Sequence, residues 1–263
     1  WLCTWLLNLG ADVYGYSKDV PTNPSMFDLC KLDNYVNSFK GNVLDIENLS
    51  NVITKIKPDI IFHIAAQAIT SLAFQNPYKT FQNNIMGTAS ILESTRLLNK
   101  PCTLICITSD KSYLNKEWIW GYNETDEIGG KDPYSASKAG SEIVINSYFE
   151  TYFKNSEQIK ISTARAGNII GGGDWAVNRI VPDCIRAWSN NKPVIIKSPK
   201  AIRPWQHVIE PLYGYLLLGA KTTNDELLNG EAFNFGPNPL DFIDVISLVK
   251  TLSEEMEKLG IKS

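Results

Sequence analysis

Short apolar runs without polar alternation recur along the chain, and amphipathic segments separate them. Such runs are typical of strands in a parallel sheet, because both faces of these strands are covered. They predict strands at residues 12–16, 42–45, 59–67, 104–107, 159–164, 192–197 and 231–235. The remaining segments predict helices at 1–9, 47–57, 83–96, 210–221 and 241–259. Strands that alternate with helices indicate an α/β protein with a doubly wound parallel sheet and a smaller α/β lobe.

The composition is that of a globular protein. The chain has 263 residues, of which 44% are hydrophobic and 20% are charged. Its formal net charge of -3 gives no electrostatic footprint for nucleic acid or an anionic membrane surface. No apolar run approaches the ~20 residues needed to cross a bilayer. We therefore expect a small-molecule ligand, bound by a local cluster of charges.

Cysteine and histidine usage argues against disulfides and metal sites. Five cysteines without a C-x-x-C spacing are best explained as reduced thiols of a cytoplasmic protein. They are Cys3, Cys30, Cys102, Cys106 and Cys184. Two histidines, His63 and His207, are too few for a histidine-rich metal site.

The stretch 104–138 carries the strongest chemical signal. The apolar run 104–107 is followed at once by Thr108, Ser109, Asp110 and Lys111. Ligands of open parallel sheets bind beyond the carboxyl ends of the strands, so these side chains are site candidates.

Tyr134 and Lys138 are four residues apart, which places them on one face of a helix. An ammonium beside a phenol stabilises the phenolate, so we expect Lys138 to lower the pKa of Tyr134 and make it a base. The pattern alone also fits a helix-start tyrosine with a solvated lysine. The polar residues at the end of the preceding strand favour the catalytic interpretation.

Other strand ends add binding candidates. Ala65 and Ala66 allow close approach of a flat ligand, and Gln67 supplies an amide, whereas His63 is better explained as a packed core residue. We expect Asn84 to support the structure.

A second set follows the strand at 159–164. Asn168 and Trp175 flank three glycines, which permit close backbone approach. Trp175 could stack on a base or sugar. Arg179 and Arg203 are the best candidates to clamp a diphosphate, because a guanidinium matches two phosphate oxygens at once.

Several motifs together resemble the extended short-chain dehydrogenase/reductase family, over residues 2–236. They are TSDKSY, WGYNETD, DPYSASKAGSE, RAGNIIGGGDWAVNRIVPD, RPWQHVIEPLYGYLLL and FNFGP. The resemblance implies a Rossmann-like fold and an enzyme that retains NAD and converts CDP-glucose to CDP-4-keto-6-deoxyglucose. It implies cofactor contacts from Asp45, Ile46, Ala65, Ala66, Gln67, Thr108, Tyr134, Lys138 and Ala166. It implies substrate contacts from Asn168, Trp175, Arg179, Arg203 and His207.

The resemblance also implies roles in catalysis. Tyr134 takes the proton of the sugar 4-hydroxyl while hydride leaves C4, and Ser109 or Thr108 hydrogen-bonds the same oxygen. Asp110, with a pKa raised by burial, protonates the leaving 6-hydroxyl. Lys111, desolvated and neutral, removes the C5 proton. Lys111 stands where dTDP-sugar dehydratases carry glutamate, which favours a CDP-sugar.

The family pattern is incomplete in this chain. The first strand and its glycine-rich phosphate loop would precede residue 1, so we expect weak dinucleotide binding, and the carboxyl end also looks cut. Segment 71–74 lacks the usual basic residue and tyrosine. We expect an NAD-binding domain at 1–165, rejoined by the helix at 207–221, and a substrate lobe at 166–263.

Two other functions remain open. A sugar-nucleotide epimerase would use Tyr134 and Lys138 without an acid and base for water loss. A non-catalytic dinucleotide-binding partner would need neither the Tyr134–Lys138 pair nor the Asp110 carboxyl group. The resemblance also implies a homodimer or higher homo-oligomer, paired through helices 83–98 and 138–153.

Overall fold

The computed structural model describes residues 1–238 and 241–261. Its strands are β1 (Tyr14–Ser17), β2 (Asn37–Lys40), β3 (Ile60–His63), β4 (Cys102–Ile107), β5 (Ile159–Ala166), β6 (Ile169–Ile170), β7 (Ile202–Arg203), β8 (Gln206–His207), β9 (Ala232–Phe235) and β10 (Ile243–Asp244). Its α-helices are α1 (Leu2–Asn8), α2 (Met26–Leu29), α3 (Ile46–Ile56), α4 (Thr70–Gln75), α5 (Pro77–Phe81), α6 (Gly87–Arg96), α7 (Pro133–Tyr148), α8 (Ile180–Trp188), α9 (Ile209–Thr222) and α10 (Val245–Lys258). Single turns of π-helix, Gln82–Met86 and Phe149–Phe153, precede α6 and follow α7.

The central sheet is parallel throughout, in the order β3-β4-β5-β9. β1 and β2 form a separate parallel pair. Helices cover the central sheet on both faces, so the predicted α/β fold with a parallel sheet is confirmed. The carboxyl ends of β3, β4 and β5 consequently lie along one edge of the sheet, where the site is built.

Alternate residues of β4 enter two different cores. Leu104 and Cys106 pack with Leu49 of α3, Ile91 of α6 and Ile145 of α7. Ile105, between them, faces the opposite core with Leu212, Tyr215 and Leu218 of α9. A strand covered on both faces has no solvent side, which explains its unbroken apolar run.

Two predicted strands are wrong. Residues 42–45 form no strand, because the Asp45 carboxylate accepts a hydrogen bond from the Asn48 backbone N–H and caps α3 instead. Residues 192–197 form no strand either. Val194 and Ile196 pack against a third core, built around Cys184 and Trp188 of α8 and Val249 of α10. Burial alone therefore explains their apolar character.

Two short strand pairs after β5 form sheets of their own, separate from the central sheet. β7 pairs antiparallel with β10, and β6 pairs parallel with β8. α9 follows β8 and packs on β4 and β5, as predicted for the returning helix. The division into two domains at residue 165 stays a prediction.

The cysteines contribute to packing. Cys102, Cys106 and Cys184 are buried free thiols, and burial raises the pKa of each. Throughout 1–238 and 241–261, every helix is too short or too polar to cross a membrane.

We expect Leu104→Ala to lower the free energy of unfolding by about 2–5 kcal/mol, because the change leaves a cavity in a packed core. The Leu104 side chain is 0% exposed. Urea denaturation measures the loss. Leu227→Ala is the control, since Leu227 is 84% exposed, and it should change stability by less than about 0.5 kcal/mol. Equal losses in both variants would contradict the assignment of β4 to the core.

Candidate active site

Ser109 stands where β4 leaves the sheet and starts a single 3-10 turn, Asp110–Ser112. Its hydroxyl oxygen caps that turn by accepting a hydrogen bond from the Lys111 backbone N–H at 3.2 Å. The hydroxyl also donates to Asp110 Oδ1 at 3.0 Å. The turn thus fixes Ser109 and Asp110 together at the strand end.

α7 begins beside this turn because of a strong capping sequence. The Asp132 carboxylate accepts hydrogen bonds from the backbone N–H groups of Tyr134 and Ser135, at 2.9 and 3.0 Å. Pro133 occupies the first helical position, where its missing N–H and fixed φ are favourable. The cap fixes which face of α7 carries Tyr134 and Lys138.

Tyr134 and Asp110 meet through Ser109. Ser109 donates a hydrogen bond to the Asp110 carboxylate, and both Ser109 and the charge of Asp110 affect the pKa of Tyr134. A phenol and a carboxyl group, predicted from separate segments, therefore face one position.

The expected lowering of the Tyr134 pKa is wrong for the protein by itself. Burial raises this pKa, and the charge of Asp110 raises it further, while the hydrogen bond from Ser109 and the charge of Arg179 lower it. Lys138 is not among these causes. Desolvation of the phenolate outweighs the neighbouring cations.

Asp110 behaves as expected, because burial raises the pKa of its carboxyl group. The charges of Lys111 and Arg203 oppose this shift. Gly167 has no side chain, which allows Pro204 and Asp110 to pack closely against its backbone. A Cβ at that position would come within 2.6 Å of Pro204 and 3.3 Å of the Asp110 carboxylate.

Lys138 is buried one turn along α7, and its Nζ donates to the Ile107 carbonyl at 3.5 Å. Burial lowers its pKa to about 8. His63 is a packed core residue, as predicted. Its Nε2 lies 3.2 Å from Thr88 Oγ1, and burial and the charge of Lys138 lower its pKa to about 3.

The expectation that Lys111 is desolvated is wrong. The 3-10 turn directs this residue to the surface, where it is exposed. Its charge still reaches Asp110.

Arg179 brings the glycine-rich segment to the site. It precedes α8, and its Nε lies 3.8 Å from Asp174 Oδ2. A groove of about 310 Å³ opens here, lined by Arg179, Asp174, the three glycines 171–173 and Trp1. Trp175 is half-buried, and its carbonyl accepts a hydrogen bond from Arg186.

Two side chains that were predicted to contact a ligand, Thr108 and Gln67, hydrogen-bond other residues of the protein. Thr108 donates to Glu142 at 2.6 Å, whereas Ser109 acts on the pKa of Tyr134. Gln67 binds the Ile69 N–H and the Thr80 hydroxyl through its side-chain amide. The predicted structural role of Asn84 agrees with its hydrogen bonds to both backbone groups of Gln67.

The remaining candidates surround these groups at the strand ends. Asp45 and Ile46 are exposed at the start of α3, Ala65 is exposed after β3, and Ala66 is half-buried. Ala166 ends β5. Asn168 binds the Gln206 N–H through its carbonyl, which links β5 to β8. His207 is exposed, and its Nδ1 accepts from the Ile209 N–H at 3.3 Å.

Sequence reasoning missed a buried ion pair behind the site. Arg165 Nε donates to both Glu142 oxygens at 2.9 Å, and its Nη2 also contacts that carboxylate. The available signals were an arginine at the end of an apolar strand and a glutamate four residues after Lys138.

Comparison with known proteins agrees with this arrangement. The chain is 43% identical over 245 residues to the CDP-glucose 4,6-dehydratase of Salmonella typhimurium, covering 92% of this chain and 68% of that protein. Its fold is similar to a dTDP-glucose 4,6-dehydratase from Streptomyces venezuelae, solved with NAD bound (TM-score 0.81, 18% identity, 99% of this chain and 77% of the other). It is also similar to an epimerase from Methanothermobacter thermautotrophicus (TM-score 0.82, 25% identity, 97% and 73%).

These neighbours confirm the resemblance to extended short-chain dehydrogenases/reductases. The family model described as GDP-mannose 4,6 dehydratase matches residues 1–261. The chain belongs to the GDP-mannose 4,6 dehydratase family.

Proposed function

We propose that the chain is the catalytic part of a sugar-nucleotide 4,6-dehydratase that converts CDP-glucose to CDP-4-keto-6-deoxyglucose with retained NAD. The observation that carries the proposal is that Ser109 donates to the Asp110 carboxylate while both residues act on the pKa of Tyr134, which puts the acid and the phenol close together. Oxidation of one sugar carbon and loss of water from its neighbours need a base and an acid on one hexose. The 43% identity to a CDP-glucose 4,6-dehydratase supports the choice of substrate.

The strand ends offer groups that fit NAD. The Lys138 ammonium has three donors, and among the described residues its Nζ has a single hydrogen-bond acceptor, the Ile107 carbonyl. Donors therefore remain for ribose hydroxyls. Exposed Ala65 and half-buried Ala66 leave room beyond β3, and Asp45 and Ile46 are open for an adenine ring. When bound, NAD would supply the acceptor and donor of a hydride.

Tyr134 would take the proton of the sugar 4-hydroxyl, and Ser109 would hydrogen-bond the same oxygen. Because burial raises the pKa of Tyr134, the phenolate needs a cation close by. Arg179 already lowers this pKa, and Lys138 lies on the same helix face. In the free protein only Arg179 acts on Tyr134 in this way, so Lys138 would have to assist the phenolate once NAD and the sugar are bound.

The Asp110 carboxyl group would protonate the departing 6-hydroxyl, since burial raises its pKa and so favours the protonated form. Lys111 would remove the C5 proton. It is exposed in the free protein, and a hexose bound over the turn would cover it.

The two arginines suit the diphosphate. Arg179 lines the groove beside the glycines, and Arg203 lies near enough to Asp110 to affect its pKa. Asn168, Trp175 and His207 surround the same region and would contact the nucleotide. We further propose a cytoplasmic homodimer or higher oligomer, with the substrate lobe at 166–263, of which 239–240 and 262–263 lie outside the described residues.

Tyr134→Phe should reduce turnover of CDP-glucose by about a hundredfold to ten-thousandfold, because it removes the general base. Calorimetry should show CDP-glucose binding within a few-fold of the unaltered protein. Tyr78→Phe is the control, as Tyr78 is 75% exposed, and it should retain full turnover. Unchanged turnover in Tyr134→Phe would remove Tyr134 from the mechanism.

Asp110→Asn should abolish water loss, measured by mass spectrometry of the product, and should raise thermal stability at pH 7. The folded-state pKa of Asp110 is raised, so ionising it destabilises the fold once the pH exceeds the unfolded pKa of about 3.9. The uncharged amide of the Asp110→Asn variant removes this loss of stability at pH 7, and it gives no gain in stability near pH 3.

Asp33→Asn is the matched control, since Asp33 is exposed, and it should change neither quantity. An Asp110→Asn variant that still interconverts a sugar nucleotide and its C4 epimer would favour the epimerase alternative. Full dehydratase activity in that variant would contradict the assigned acid.

A further inference from the structure

Glu142 lies one helical turn beyond Lys138 and is buried. It accepts hydrogen bonds from Arg165 of β5 and from the Thr108 hydroxyl at the end of β4. The same carboxylate therefore joins the catalytic helix to two neighbouring strands just below the site.

Glu142 and Lys138 are four residues apart on one face of α7, and the charge of Glu142 acts on Lys138. Three titratable groups act with Lys138: Glu142 of α7, Cys106 of β4 and His63 of β3. Burial raises the pKa of Cys106 and lowers that of His63 to about 3. Both are neutral near pH 7. Glu142 is thus the remaining counter-charge to the buried ammonium.

Arg165 extends the connection to the loop between β4 and α7. Its Nη1 donates to the Tyr113 hydroxyl at 2.7 Å and to the Glu124 carbonyl at 2.9 Å. Tyr113 in turn donates to Asn234 of β9 at 2.7 Å. The guanidinium also lies 4.8 Å from the Tyr113 ring centroid. One ion pair therefore anchors the loop that connects Asp110 to Tyr134.

We propose that Glu142 is a positioning residue, held by Arg165, whose carboxylate keeps the buried Lys138 ammonium charged and in place beside Tyr134. In the proposed complex with NAD, Lys138 would stabilise a Tyr134 phenolate only as the ammonium, although it does not act on the Tyr134 pKa in the free protein. This function of Lys138 rests on the dehydratase function proposed above, whereas the effect of Glu142 on Lys138 does not.

The rival explanation is an ion pair that only stabilises the fold. Replacing a buried ion pair by apolar residues of similar volume is often neutral for stability, whereas removing one partner is strongly destabilising. The double variant Glu142→Met/Arg165→Met is therefore the suitable test, since it removes the carboxylate and its guanidinium partner together. Glu142→Gln alone leaves Arg165 without a counter-charge and is secondary.

The test follows the Lys138 side chain by NMR in protein carrying isotope-labelled lysine, with its signal identified by its loss in Lys138→Arg. The unaltered protein should titrate with a midpoint of about 8. In the double variant the midpoint should fall by about one pH unit or more, because the nearest opposite charge is gone. A lowered lysine pKa means that the ammonium is lost earlier as the pH rises.

Glu93→Met/Arg96→Met is the matched control. Glu93 and Arg96 form an equally well hydrogen-bonded pair on α6, partly exposed, that does not act on Lys138. The Lys138 midpoint should stay at about 8 in this control. A folded Glu142→Met/Arg165→Met variant, established by cooperative thermal unfolding, that also keeps the midpoint would overturn the proposal.

The pH dependence of turnover separates this proposal from the function itself. If both hold, the basic limb of the kcat/KM profile for CDP-glucose moves to lower pH together with the NMR midpoint. A shifted midpoint in a protein that never turns over CDP-glucose would contradict the dehydratase assignment and leave the role of Glu142 intact. An unshifted midpoint in an enzyme that turns over CDP-glucose would contradict the role of Glu142 and leave the dehydratase assignment intact.

Discussion

Three side chains spaced four residues apart on α7, Tyr134, Lys138 and Glu142, set the layout of the site. They share a face because a helix repeats about every 3.6 residues, and a start displaced by one residue would rotate them by about 100°. The Asp132 cap prevents that displacement by binding the first free N–H groups of the helix. The parallel register of β4 and β5 then places Ser109 opposite the first side chain and Arg165 against the third.

Burial determines the pKa values of the ionisable side chains at the site. It raises the pKa values of Tyr134 and Asp110 and lowers that of Lys138, so each charged form is disfavoured in the free protein. The acid role of Asp110 benefits from this shift, while the base role of Tyr134 requires cations to offset it. Charged groups held out of water lower the stability of the fold, which is expected where chemistry needs perturbed pKa values.

Much of the fold followed from the sequence because β4 is covered on both faces and carries apolar residues into two cores. The Tyr134–Lys138 pair was visible because its spacing is local. Apolar character misled at residues 192–197, where Val194 and Ile196 pack against a core without strand pairing and Ile195 is 85% exposed. The prediction of a strand at residues 42–45 was also wrong, because Asp45 caps α3 instead.

The parts of the site that could not be predicted depend on three-dimensional surroundings. The exposure of Lys111 is set by the direction of a short turn, and the Tyr134 pKa by the depth of its burial. The Glu142–Arg165 pair joins residues 23 positions apart on a helix and a strand. No local spacing reports such a pair, although a charged residue that ends an apolar strand usually has a buried partner.

The most direct test of the central claim uses CDP-glucose carrying deuterium at C4, incubated with the protein and NAD. If Tyr134 and Asp110 act on one hexose, the deuterium should be found at C6 of the 4-keto-6-deoxy product, because the hydrogen removed from C4 returns after water is lost. Deuterium that remains at C4, in glucose or in its C4 epimer, would contradict the account.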